Sequence, residues 1–110
     1  KYAAHGDILL NGLPPGPFYK RTVCFIPKTD NHLSTLTVGE TLLFSAQMRS
    51  PAHTKSEHIE KAVDIVLNWL NLTGEHKNTY VGDANIKGSS GGQKRRLSVG
   101  VEVISGSIFI

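Results

Sequence analysis

The chain has 110 residues, 39% of them apolar, with twelve Lys and Arg against nine Asp and Glu for a formal charge of +3. This composition lies clear of the disordered class, and the charge is too mild for a general nucleic-acid footprint. A single cysteine, Cys24, excludes an internal disulfide framework, and no apolar run reaches the roughly 18 residues that a membrane-spanning helix needs.

All five prolines fall at or before Pro51, so the second half is free to be helical. Residues 7–11 read as a short strand ending in the Asn11-Gly12 turn. Residues 13–18 hold three prolines and read as a loop. Residues 22–26, rich in β-branched and aromatic side chains, predict a second strand that Pro27 ends. Residues 28–35 form a polar loop.

Thr37-Val38-Gly39-Glu40 is a capping box and predicts a helix start. Leu42, Leu43 and Ala46 give that helix an apolar stripe, and Ser50-Pro51 stops it. Thr54-Lys55-Ser56-Glu57 reads as a second capping box. Behind it, Ile59, Ala62, Val63, Val66, Leu67 and Leu70 recur at helical spacing on one face. Gly74 is the expected stop. Residues 79–87 read as irregular or short-stranded. A third helix is expected from Ser90 to about Ile104, with Leu97, Val101 and Ile104 facing inward. Ser105-Gly106 then turns the chain into an apolar run ending Ile108-Phe109-Ile110. Both ends read as cut, so a fragment is expected.

The segment Gly88-Ser89-Ser90-Gly91-Gly92-Gln93-Lys94-Arg95-Arg96 carries the chemistry. Ser90 and Gln93 are spaced as a capping box and fix a helix N-terminus. Two glycines in the first turn cost about 1 kcal/mol each against alanine. A helix tolerates that where something must approach its backbone. Free N–H groups and the positive end of the helix dipole suit an anion such as phosphate. The same nine residues also read as a Gly/Ser loop followed by a solvated basic turn.

The string from Val81 to Glu102 resembles the signature region of ABC-transporter ATPases of subfamily G, the group that includes pleiotropic-drug-resistance transporters. Three upstream blocks resemble the same family in the right order. Gly6 to Gly12 matches the strand and turn after the Walker A helix. Phe25-Ile26-Pro27-Lys28-Thr29-Asp30 stands where the family has its Q-loop. Leu36-Thr37-Val38-Gly39-Glu40-Thr41-Leu42 matches the family's L-T-V-x-E-T-L helix.

The resemblance implies an α/β fold, a fragment of a P-loop NTPase with antiparallel β edge strands and a helical subdomain. It divides the chain into a β region and Q-loop over 1–36, the helical subdomain over 37–87, and the signature helix with the start of the Walker B strand over 88–110. The Walker A loop would precede the chain. The Walker B carboxylates and switch histidine would follow it, leaving the catalytic residues outside.

The implied activity is ATP hydrolysis, with Mg²⁺, coupled to export of lipophilic compounds, lipids or sterols. The implied location is the cytosolic face of a membrane. Its partners would be a second nucleotide-binding domain, packed head to tail, and a transmembrane domain, with no nucleic acid. Ser90, Gly91, Gly92 and Gln93 would contact in trans the γ-phosphate held by the opposite domain, and the helix of Glu40 would meet the transmembrane domain. Competing classes are a non-transport ABC ATPase of DNA repair or chromosome maintenance, and a non-catalytic ATP-binding module.

Three positions depart from the family pattern. Lys28 stands for the Q-loop Gln, and an ammonium has no lone pair for a cation. Ser89 replaces an apolar anchor, and Gln93 replaces the commoner Glu. Elsewhere the five histidines read as surface residues, Cys24 as a small core residue and Trp69 as a packing residue. Glu57 and Lys61 read as a helical ion pair, and Lys94-Arg95-Arg96 as a solvated face.

Overall fold

A computed structural model describes residue 3 and residues 5–17, 23–28 and 31–104. Three helices occupy the second and larger part: α1 (Val38–Arg49), α2 (Ser56–Trp69) and α3 (Gly91–Ile104), with a short 3-10 turn at Gly74–His76. Each helix packs against the other two. Their inner faces form one core of Val38, Leu42 and Ala46 from α1, Val63, Val66 and Leu67 from α2, Leu97 from α3, and Leu72 and Val81 from the connections. Each fully buried leucine contributes roughly 1.5–3 kcal/mol. Gly100 lets α3 come close, because a Cβ there would stand 2.6 Å from Leu70 Cδ1 and 3.1 Å from Leu42 Cδ2.

Helix α1 starts at the expected box. Glu40 N–H donates to Thr37 Oγ1 at 3.2 Å, and Thr37 N–H donates to Glu40 Oε2 at 2.8 Å. Two further orphan donors find partners far along the chain: Val38 N–H meets Thr79 O at 3.0 Å and Gly39 N–H meets Lys77 O at 2.9 Å. A Cβ on Gly39 would come within 2.9 Å of Lys77 Cγ. Val81 N–H to Leu36 O and Gly82 N–H to Ser34 O continue this pairing, so residues 77–82 run antiparallel to 34–39. An isolated bridge, Thr37 with Tyr80, marks its centre.

The second helix departs from expectation at both ends. The Thr54 N–H closes a turn on Pro51 O at 2.9 Å, which leaves Thr54 one residue ahead of the N-cap. Lys55 takes the N-cap position and makes no side-chain cap bond. The stop is Asn71, not Gly74. Asn71 takes φ +55, Leu72 N–H returns to Leu67 O at 2.9 Å and Asn71 N–H returns to Asn68 O at 3.2 Å. This is a Schellman closure, with its apolar contact supplied by the fully buried Leu67 and Leu72. Ala62 is exposed. Trp69 is 72% exposed rather than packed, because two residues past Leu67 is about 200° around the helix. Among the described residues Lys77 pairs with Asp64 at 2.9 Å, and Glu57 and Lys61 form no ion pair.

The expected antiparallel edge strands form no ladder among the described residues. Residues 7–11 contribute one bridge, Leu10 with Leu13, folded around the Asn11-Gly12 turn. Ile8 and Phe25 are 72% and 86% exposed. An extended segment becomes a strand only when a neighbour takes its backbone hydrogen bonds, and here the tight turn takes them locally. Thr22 and residues 105–110, where one strand was expected to start and another to follow, lie outside the described residues.

Candidate functional site

Helix α3 is delivered by a closed loop. Asp83 Oδ1 accepts from the N–H groups of Asn85 and Ile86, both at 2.8 Å, and Asp83 N–H donates to Ile86 O at 2.9 Å. These donors, Asn85 first, hold the Asp83 carboxyl below the usual carboxylate range, with help from the Ser34 hydroxyl. Gly82 and Gly88 form the neck. A Cβ on Gly82, which has φ +74, would stand 2.8 Å from Gly88 Cα, and a Cβ on Gly88 would strike the backbone of Tyr80 and Val81. Ser89 sits on that neck, buried, with its N–H and hydroxyl both donating to Tyr80 O at 2.9 and 3.2 Å. A hydroxyl thus anchors Ser89 to the neck.

The turn that follows is a complete capping box. Gln93 N–H donates to Ser90 Oγ at 3.2 Å, and Ser90 N–H donates to Gln93 Oε1 at 2.9 Å. Ser90, Gly91 and Gly92 are exposed. Among the described residues the N–H groups of Gly91 and Gly92 have no partner, and a Cβ on either would meet nothing within 4 Å. The result is two free donors at the positive end of a 14-residue helix, with open space before them. That arrangement fits a phosphate oxygen.

Of 103 residues shared with ABC transporter G family member 6 of Dictyostelium discoideum, 39% are identical, covering 93% of this chain and 7% of that protein. ATP-binding cassette sub-family G member 8 of Rattus norvegicus is 39% identical over 100 residues, 90% of this chain and 14% of the relative. A broad substrate specificity ATP-binding cassette transporter of Mus musculus is 34% identical over 91% of this chain and 15% of its own length. The chain belongs to the ABC transporter G family. It spans between 7% and 15% of the length of the curated relatives it matches. No family model matches it. Membership makes it a piece of a P-loop NTPase.

The other residues singled out in this G-family segment lie apart from the Gly91-Gly92 turn. Lys28 is exposed. Its neighbour Pro27 offers its carbonyl to the Arg95 guanidinium, and His32 Nε2 lies 2.8 Å from Ser98 Oγ. Pro27 and His32, on either side of Lys28, are therefore both tied to α3. The strap forms one wall of a groove of about 330 Å³, lined by Ile26, Pro27, His32, Phe44, Ser98 and Glu102 among others. Lys28 has no lone pair for a cation, and no group of three His, Cys, Asp or Glu among the described residues could hold one. These residues do not fit Mg²⁺. Glu40 is exposed and committed through Oε2 to its cap. It borders a separate groove of about 340 Å³ with Glu60, Asp64 and Lys77.

Some contacts carry no local sequence signal, the His32–Ser98 tie among them. Arg95, taken for a solvated charge, is the tie to Pro27. His76 is exposed, as expected, and places Nδ1 2.7 Å from Gln93 Nε2. Neither has a sequence signal, since the partners are 68 and 17 residues apart.

Proposed function

We propose that the chain supplies the Q-loop position, helical subdomain and signature helix of an ATP-binding and ATP-hydrolysing domain that drives transport across a membrane. The observation that carries this reading is the start of α3: a closed capping box, two exposed glycines and two unpartnered N–H groups. Ser90, Gly91, Gly92 and Gln93 then form the signature that meets the γ-phosphate of an ATP held by a second nucleotide-binding domain. Their donors are fixed before the phosphate arrives, so they stabilise its charge without reorganising. ATP supplies the phosphoryl group; Mg²⁺ ligands would come from outside this chain.

Residues 1–36, 37–87 and 88–110 serve as the β region with Q-loop, the helical subdomain and the signature helix, with 7–11 and 22–26 as edge strands of the whole domain's sheet. Glu40 and the exposed Phe44 and Met48 support α1 as the helix that would meet the transmembrane domain. Family resemblance supports a cytosolic position on the membrane and export of lipophilic compounds, lipids or sterols. None of the described helices is long and apolar enough to cross a membrane.

Ser90→Arg in the full-length transporter tests the reading. Bulk at the helix start should lower ATPase and transport together by about 100-fold or more, while expression and single-domain ATP binding persist. Unchanged transport would overturn it.

A further inference from the structure

The hydrogen bonds around Gln93 fix the direction of its amide. The Ser90 backbone N–H is a donor, so the amide atom 2.9 Å from it is the oxygen. The nitrogen then faces His76 Nδ1 at 2.7 Å. An amide nitrogen donates and cannot accept. His76 Nδ1 is therefore the acceptor, and the imidazole carries its proton on Nε2. Ser90 N–H, the Gln93 amide and His76 Nδ1 form one directed chain of hydrogen bonds.

His76 has a firm seat. Lys77 N–H closes on Gly74 O and Asn78 N–H on Glu75 O, both at 3.2 Å, and Thr79 Oγ1 donates to Glu75 O at 2.8 Å. Lys77 O and Thr79 O in turn hold the start of α1. Gln93 needs such a hold. A glutamate in its place would be drawn to the helix N-terminus by its charge as well, whereas a neutral amide on a flexible, partly exposed side chain has only its hydrogen bonds to hold it there.

We infer that His76 is a positioning residue for the signature turn, acting through the Gln93 amide to keep Ser90, Gly91 and Gly92 in their phosphate-facing geometry. It touches no phosphate itself. This assignment rests on the signature reading proposed above.

The test uses the full-length transporter and its ATPase kinetics. His76→Leu removes the acceptor and should lower kcat about fivefold, the scale of one hydrogen bond, with KM for ATP changed by less than about twofold. His76→Asn offers Oδ1 as a replacement acceptor and should return kcat to within about twofold of the parent. In a Gln93→Leu background, His76→Leu should have no further effect, because the residue acts through that amide. Wild-type kcat in His76→Leu, equal defects in the Leu and Asn variants, or additive effects with Gln93→Leu would each overturn the inference. Ser90→Arg, measured alongside, separates the two levels. If it abolishes ATPase while His76→Leu is silent, the positioning role alone fails. If Ser90→Arg leaves ATPase intact, the signature reading fails and takes this assignment with it.

Discussion

Arg95 donates a hydrogen bond to the carbonyl of Pro27, so the residue immediately before Lys28 is held by the helix that carries the Gly91-Gly92 turn. His32 and Ser98 add a second tie along the same helix. A displacement of the Lys28 loop therefore pulls on α3, and a rotation of α3 drags the loop. In the proposed domain these belong to two different ATP sites, so this strap links them mechanically.

Lys28→Gln tests what that loop does at its own site. A carboxamide oxygen can join a hydrated cation, and an ammonium is repelled by it. ATPase at the site bearing the substitution should rise about tenfold, the scale of restoring one contact around a metal. Single-site turnover in a transporter whose second site is inactivated measures it. No change would make the position irrelevant, and a fall would show that Lys28 holds phosphate.

Glycines that serve the fold and glycines that serve the ligand should respond oppositely to alanine. Gly88→Ala drives a Cβ into the backbone of Tyr80 and Val81, where nothing can yield, and should destabilise by about 3 kcal/mol. Gly91→Ala meets nothing within 4 Å and should stabilise the helix by about 0.5–1 kcal/mol. Urea unfolding reads both. ATPase in the full-length protein should nevertheless fall for Gly91→Ala, because the methyl group occupies the approach to the free N–H groups. Retained activity in that variant would separate the glycine from the phosphate.

The loop before α3 should be acid-sensitive. Asp83 has its carboxyl lowered by the Asn85 and Ile86 N–H groups and the Ser34 hydroxyl. A lowered folded value means that the native loop binds a proton more weakly than the unfolded chain. Its contribution is complete above the unfolded value, about 3.9, and is lost as pH falls through the folded one. The amide resonances of Asn85 and Ile86 should titrate together below pH 3.9 or so. In Asp83→Ala that joint transition should disappear.

Local patterns were legible and distant partners were not. The boxes at Thr37–Glu40 and Ser90–Gln93 are written within four residues, and both formed. The face of α2 followed from spacing, except at Ala62, where an apolar label on a small side chain says little about burial. Gly74 looked like the stop because glycine favours positive φ, yet Asn71 tolerates the same conformation and comes first. Thr54 had the right chemistry one residue early. Trp69 was placed by hydrophobicity although its angle pointed outward. At the site, Ser90 to Gln93 could be read from type and spacing, whereas His76 and Arg95 act through contacts that only the folded chain creates.

The first turn of α1 borrows the carbonyls of Lys77 and Thr79, which lie about forty residues further along the chain. During synthesis at about 5–20 residues per second, α1 is made some 2–8 s before those atoms exist. Over that interval Leu42 and Val38 have no core, and the helix rests on its own capping box. Its completion must wait for α2 to be made and folded back, so the order of emergence from the ribosome and the order of structural closure are opposed in this segment.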